Sequence, residues 1–197
     1  FSIRYKRFSV EGLDAGLDLF KNDNSVFGLL LTPRFYEVKS SFADDGELNG
    51  IDTTHRTVFA GVSYQYQHAL FQVAANALKD VGGESDGTEA NLTVSRGFNW
   101  RDFTIAPSLG LVWQDGRLVE HFYGVADDET APGRPAYGEH SSLNYQAALT
   151  GIWTPGKHWH LLAVVKEDYR GEGITDSPII DERSLTSVAV GAVFYFW

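Results

Sequence analysis

A histidine and a serine stand two residues apart where a long polar segment meets an alternating one. They are His140 and Ser142, and Glu139 precedes them. An imidazole beside a hydroxyl can act as a general base for a nucleophile, and a carboxylate can orient the ring. A pattern of three residues also arises often by chance at the polar end of a loop. We therefore interpret the segment as a loop that enters a strand and predict that neither His140 nor Ser142 is catalytic.

Two other groups of residues have the side chains of metal ligands. His158 and His160 flank a tryptophan, but two ligands without a third do not make a zinc site. Asp127, Asp128 and Glu129 could contact Ca²⁺, yet a hard cation needs about six oxygens in a defined geometry. We predict a solvated acidic loop at residues 127–129 and no metal or cofactor.

The composition of the chain excludes several classes of protein. The 197 residues have a formal net charge of −10, which argues against nucleic acid as a partner. The absence of Cys fits a cell-envelope protein without disulfides. The mean hydropathy of −0.20 is too polar for a helical membrane protein. A transmembrane β-barrel can have such a value, because only alternate residues of its strands must be apolar.

Apolar and polar residues alternate along most of the chain, which predicts β-strands. The pattern is clear in residues 57–67, 71–77, 89–95, 103–113 and 143–153, and no window has a sustained helical period. The chain ends in a strand-length segment, SLTSVAVGAVFYFW, as a barrel does when its last strand closes the sheet. A soluble β-sandwich or lipocalin-like barrel is the alternative. The residues that we expect to face lipid include Val58, Val62, Leu92, Val94, Leu109 and Leu111.

Short and long connections follow each other between the predicted strands. The short ones lie at residues 21–24, around His68, and at residues 99–102 and 155–157. Most acidic residues lie in the long ones, which are residues 37–55, 79–88, 114–142 and 170–183. Short turns at one end and long extracellular loops at the other are typical of outer-membrane barrels. Trp100, Trp153, Trp159 and Trp197 lie near the short-turn end, as expected for a periplasmic aromatic girdle.

If alternate residues face lipid, the polar residues between them face the interior of the barrel. A barrel of this size is filled by side chains or holds only a narrow passage, and we favour the filled interior. Residues 1–20 must contain a reversal near residues 11–12, formed either by a tight hairpin or by an irregular strand. The expected interior residues are Asp14, Asp18, Gln65, Glu89, Asn91, Lys166 and Asp168.

One long connection resembles a segment of the MipA/OmpV family of outer-membrane proteins. Its residues 120–137 read EHFYGVADDETAPGRPAY, which is similar to the family's YFGV-like run followed by a GLPAY-like run. Arg134 stands where the family has leucine. The run DSPII at residues 176–180 is similar to the family's DSPIV before its final strand. The matching residues are Phe122, Tyr123, Gly124 and Val125, and then Gly133, Arg134, Pro135, Ala136 and Tyr137.

The opening residues, FSIRYKRFSVEG, are similar to the segment that follows the family's first strand. The resemblance therefore covers nearly the whole chain. It implies an all-β fold in which residues 1–197 form a single antiparallel transmembrane β-barrel without the family's first strand and signal peptide. We expect 12 strands when the barrel is complete, with 10 as the alternative, in the outer membrane of a Gram-negative bacterium.

The resemblance implies a scaffold rather than an enzyme. The family's named role is to tether a lytic murein transglycosylase and a penicillin-binding protein, and its members contact outer-membrane lipid and lipopolysaccharide. A small-solute channel is the alternative. A third reading is a lipid A-modifying enzyme, because the His140–Ser142 pattern is similar to the His and Ser of outer-membrane lipid A deacylases. We expect the long connection of residues 114–142 to fold over or into the extracellular mouth.

Overall fold

The computed structural model describes residues 2–34, residue 51 and residues 56–194, and over these ranges the chain forms one 12-stranded antiparallel sheet. The all-β prediction is confirmed. Neither helix in these ranges is long and apolar enough to span a bilayer. The strands are β1 (Ser2–Tyr5), β2 (Phe8–Glu11), β3 (Asp14–Lys21), β4 (Ser25–Arg34), β5 (Thr57–Gln67), β6 (Gln72–Asp80), β7 (Thr88–Ser95), β8 (Phe98–Trp100), β9 (Phe103–Gln114), β10 (Ser142–Trp153), β11 (Trp159–Tyr169) and β12 (Ser184–Phe194), with helices α1 (Gly116–Tyr123) and α2 (Glu172–Thr175) between strands.

Each strand pairs with the next one along the chain, except that β7 does not pair with β8. Both β7 and β8 pair with β9. Among the described residues no pairing joins β12 back to β1, so closure of the barrel stays a prediction. The long connection predicted at residues 37–55 lies outside the described residues apart from Ile51, and Trp197 lies outside them too.

Two tight hairpins form the start of the sheet and settle the alternatives left open for residues 1–20. One turn lies at residues 6–7 and the other at residues 12–13. Lys6 has φ 54° and Gly12 has φ 62°, a left-handed conformation that suits two-residue hairpin turns. β2, which lies between these two turns, is only four residues long. The turn that joins β1 to β2 therefore lies beside the middle of β3, where Asp18 N donates to Arg7 O at 2.8 Å.

The pairing register divides the side chains between two faces, because residues opposite each other in neighbouring strands share a face. Val94 lies opposite Leu109, and Leu92 lies opposite Leu111. All four are exposed, as is Val62 on β5, whereas Val58 is half-buried. We call this apolar face the outer face and the opposite one the inner face.

Pro107 interrupts the ladder where β7 ends and β8 begins. Ser95 lies opposite Ser108 and Phe98 opposite Ile105, so the register is the same on both sides of the break. Proline has no N–H to donate to a ladder, which accounts for the gap. Arg96 N still donates to Pro107 O at 3.1 Å. β8 and β9 thus form a hairpin that extends past the short-turn end of the neighbouring strand β6.

The two faces can be tested with a pair of arginine substitutions on β7. We expect Leu92→Arg, on the outer face, to destabilise insertion into lipid vesicles by about 2–4 kcal/mol, because lipid cannot solvate the charge at mid-depth. Thr93→Arg is the matched control, since Thr93 belongs to the inner face. The folded fraction can be measured by heat-modifiable gel mobility, and equal tolerance of the two substitutions would contradict the assigned faces.

Candidate functional site

Helix α1 follows β9 and packs onto the inner face of the sheet. Asp115 caps it, because the Asp115 carboxylate accepts a hydrogen bond from Leu118 N at 3.0 Å. Leu118, Val119 and Phe122 follow a helical period, so one side of the helix is apolar. All three side chains are buried.

The buried side of α1 meets two residues of the sheet. Phe59 of β5 and Leu78 of β6 form a cluster with Leu118 and Phe122. Gly87 permits the close approach, because a Cβ at that position would lie 2.6 Å from Leu118 Cβ. Full burial of a Leu or Phe side chain stabilises by roughly 1.5–3 kcal/mol, so this cluster holds the helix against the sheet.

The rest of the long connection is ordered by hydrogen bonds of its own. Val125 and Tyr137 form an isolated antiparallel bridge. Arg134 is buried, and its Nε and Nη2 donate to the carbonyl oxygen of Glu129 at 3.1 and 2.7 Å. The Glu129 carboxylate in turn accepts from Ala126 N at 2.8 Å, around a 3-10 helix at Asp127–Glu129. The arginine that stands in place of the family's leucine therefore fastens this loop.

Two hydrogen bonds join this connection to the one that contains α2. Tyr137 OH donates to Gly173 O at 3.0 Å, and Ser177 Oγ donates to Tyr123 O at 2.6 Å. Burial raises the pKa of Tyr137, and the charge of Asp176 raises it further, so the phenol stays protonated as a donor. We call α1, residues 124–137 and residues 171–177, which include α2, together the cap.

A cavity of about 550 Å³ lies between the cap and the inner face. Phe122, Tyr123 and Ile174 of the cap contribute to its walls. Four of the seven residues expected in the interior also line it, namely Glu89, Asn91, Lys166 and Asp168.

Four of the charged residues that line this cavity form two ion pairs. Arg34 Nη2 lies 2.7 Å from Glu89 Oε1, and Lys166 Nζ lies 2.7 Å from Asp168 Oδ2. Glu89 is buried and also accepts from Asn91 Nδ2 at 2.8 Å. These partners satisfy the polar atoms of a carboxylate that is removed from solvent.

Side-chain amides extend this network from the sheet to the cap. Asn91 Nδ2 donates to Asn76 Oδ1 at 2.7 Å. Asn144 Nδ2 donates to Gln114 Oε1 at 3.2 Å, and Asn144 Oδ1 accepts from Gly171 N at 2.8 Å. The arrangement can bind a small polar molecule or fix the cap, but it contains no activated nucleophile.

The other three expected interior residues lie apart from this cavity. Gln65 lines a separate cavity of about 360 Å³ at the short-turn end, beside residues 21–26. Asp18 lies opposite Gly28 and is half-buried, whereas Asp14 is exposed beside the hairpin turn.

Asp80 is a structural residue that sequence reasoning missed. It is the last residue of β6. The residue before it, Lys79, lies opposite Ala60 on the outer face, and a charged residue there marks the end of the apolar part of the strand. Asp80 therefore lies beyond that apolar part. Its carboxylate accepts from Gly82 N at 2.8 Å and Gly83 N at 3.2 Å, and from Ser85 N and Oγ at 2.6 and 2.7 Å. Thr57 Oγ1 donates a further hydrogen bond.

Burial alone would raise the pKa of Asp80, but the hydrogen bonds from Thr57, Ser85 and Gly82 outweigh it and hold the pKa well below its usual value. The sequence DVGGES contains the signal, because an Asp before glycines and a serine is typical of a carboxylate-centred turn.

The residues considered for hydrolytic chemistry do not form a catalytic pair. Ser142 is buried and its hydroxyl donates to Asn144 Oδ1 at 2.8 Å. His140 is exposed, stacks on Tyr137 and contacts Gly138 O through Nδ1 at 3.2 Å. The two side chains therefore have separate partners.

The two histidines considered as metal ligands have separate contacts. Thr154 Oγ1 and His160 Nδ1 are 3.2 Å apart, and the ring of His158 lies 5.8 Å from that of Phe194. In the described ranges, no three His, Cys, Asp or Glu residues are grouped as metal ligands.

The chain is similar to outer-membrane proteins over nearly its whole length. A family model described as MltA-interacting protein MipA matches residues 1–196. YiaT of Escherichia coli (strain K12) is 25% identical over 190 residues, which cover 96% of this chain and 77% of that protein. MltA-interacting protein of the same strain is 21% identical over 192 residues, with the same coverage. Outer membrane protein OmpV of Vibrio cholerae is 20% identical over 149 residues, 76% of this chain and 58% of that protein. No solved structure gives a significant match.

Substitution of Asp80 tests how strongly its hydrogen bonds hold the β6–β7 connection. We expect Asp80→Asn to lower the free energy of unfolding by about 1–3 kcal/mol at pH 7, because an amide nitrogen cannot accept from Ser85. Since the folded pKa is below the ordinary value of 3.8, the stabilisation is present above that pH and is lost as the pH falls through the folded pKa. Urea unfolding at pH 7 measures the effect of the substitution, and a series from pH 7 down to pH 2 measures the onset of the loss, as the difference in stability between the two proteins narrows. Asp86→Asn, in the same turn at φ 51°, is the control that should leave stability unchanged.

Proposed function

The chain belongs to the MltA-interacting protein MipA family, and from this membership we propose that residues 1–197 form a single closed outer-membrane β-barrel that acts as a non-enzymatic scaffold. The family and the outer-membrane location predicted from the sequence are both confirmed. The closed barrel accounts for the exposed apolar outer face, because lipid would cover it.

The cap is the observation that carries the scaffold proposal. It packs a buried apolar helix side against the inner face and joins two long connections by hydrogen bonds. A channel needs a continuous aqueous path, whereas a scaffold needs only a stable body and exposed surfaces. We propose that residues 122–125 and 133–137 serve to close the extracellular mouth.

The name of one relative, MltA-interacting protein, identifies the class of partner that we propose. This chain would bind a lytic murein transglycosylase, with a penicillin-binding protein as a second partner. Such enzymes act in the periplasm, and the proposed orientation places the short turns there. The hairpin of β8 and β9 offers a surface at that end, because Trp100 is 72% exposed and Arg101 lies 5.9 Å from its ring centroid. Trp and Arg are enriched among the residues that contribute most to protein interfaces.

The alternative function is a small-solute channel, and the interior cavity favours it. A space of about 550 Å³ lined by amides and paired charges could hold a small polar solute. A lipid A-modifying enzyme is supported least, because the hydroxyl of Ser142 is bonded to Asn144 rather than to His140.

Conductance in planar bilayers separates the scaffold from the channel. We expect the intact protein to conduct poorly and a deletion of residues 125–134 to raise conductance, because the deletion removes the Val125–Tyr137 bridge and the Arg134 contacts. Asp128→Asn, an exposed change in the same loop, should have no effect. Steady conduction by the intact protein that the deletion leaves unchanged would favour the channel.

Capture of a purified lytic murein transglycosylase by the immobilised full chain tests the proposed partner. We expect binding by the unmodified protein and a loss of at least about tenfold in affinity for the Trp100→Ala/Arg101→Ala variant, as for a central interface pair. Trp113→Ala is the matched control, since Trp113 is 40% exposed but lies at the other end of β9. Equal binding by the two variants would exclude this surface, and no binding by any of them would count against the scaffold.

A further inference from the structure

A groove of about 1000 Å³ crosses the outer face over β7, β9, β10 and β11. Two small residues, Pro107 and Ala147, lie in its floor between larger apolar neighbours. Ala147 lies opposite Leu109 on one side and Glu167 on the other. The groove therefore exists because a short side chain stands where the outer face otherwise has large ones.

Arg96 lies at the short-turn end of this groove. It is two residues from Val94 and two from Phe98, so it extends the outer-face column of β7 and β8. Its guanidinium lies 4.8 Å from the ring centroid of Phe98. Among the residues that the structure describes, no carboxylate forms an ion pair with Arg96. The backbone of Arg96 is held by its hydrogen bond to Pro107 O.

Glu167 lies near the long-loop end of the same groove. It lies two residues before Tyr169, where β11 ends, and it accepts a hydrogen bond from Thr186 of β12. The groove thus has a cation near one end and an anion near the other. An elongated molecule with an anionic head and an apolar tail would be oriented by these charges, with its head at Arg96.

We propose that this groove binds one glycerophospholipid, with its phosphate on Arg96 and an acyl chain along the floor past Pro107 to Ala147. An outward-facing arginine without a carboxylate partner needs a counterion, and a lipid phosphate supplies one through charge-assisted hydrogen bonds. The inference rests on the proposed barrel and its orientation. In that orientation Arg96 lies in the periplasmic leaflet, which consists of phospholipid rather than lipopolysaccharide.

Lipid binding by the purified full chain tests this site. The protein, delipidated in detergent, is titrated with dioleoyl phosphatidylglycerol, and bound lipid is counted by native mass spectrometry. We expect one tightly held lipid and a weakening of at least about tenfold in Arg96→Gln. Ala147→Leu should weaken binding similarly, because it fills the floor while the charge remains. Arg101→Gln, an arginine on the same hairpin outside the groove, is the control and should bind normally.

Several results would overturn the inference. Normal lipid binding by both Arg96→Gln and Ala147→Leu excludes the groove. Displacement of the lipid by inorganic phosphate at equal concentration would show an anion site without the proposed chain contacts. Equal affinity for purified lipid A would show a site that does not select a glycerophospholipid. Heat-modifiable mobility identifies any variant that fails to fold, and Ala147→Val then replaces Ala147→Leu. A protein that inserts into vesicles yet binds no lipid refutes this site alone, whereas failure to insert refutes the proposed barrel.

Discussion

The antiparallel register of the sheet is the constraint on which the rest of the structure depends. Side chains alternate between faces with a period of two, so a slip of one residue would move every outer-face residue to the inner face. Leu92 would then face the cavity, and Glu89 and Asn91 would face outwards. The register therefore fixes both the apolar surface and the polar interior, and the tight hairpin turns at Lys6 and Gly12 help to hold it at the start of the sheet.

Because of that register, the inner face has separate apolar and polar areas. Phe59 and Leu78 provide an apolar area for α1, while Glu89 and Asn91 on the next strand provide a polar one. Asn144 connects the polar area to the cap through Gly171 N. The cap is thus held by apolar burial on one side and by directional hydrogen bonds on the other, which fixes its position as well as its distance from the sheet.

Period-two alternation was sufficient to predict the all-β fold, most of the strands and the outer face. It could not predict α1, because Leu118, Val119 and Phe122 form too short a helical period to be distinguished within a long loop. It also grouped Asp14, Asp18 and Gln65 with Glu89, although alternation gives the face of a residue and not its height along the barrel. The role of Asp80 depends on donors from Thr57 and Ser85, and Thr57 is distant in sequence. Long-range partners of this kind cannot be inferred from spacing.

The energetics of the cap bear on the choice between a scaffold and a channel. Opening the cap would expose Leu118 and Phe122, at roughly 1.5–3 kcal/mol for each side chain. Separating its two connections from each other would also break the hydrogen bonds of Tyr137 and Ser177, at about 0.5–1.5 kcal/mol for each. A penalty of several kcal/mol keeps the spontaneously open state a small minority. A channel built on this chain would need a ligand or partner that binds the open state more tightly than the closed one, whereas a scaffold operates with the cap as it stands.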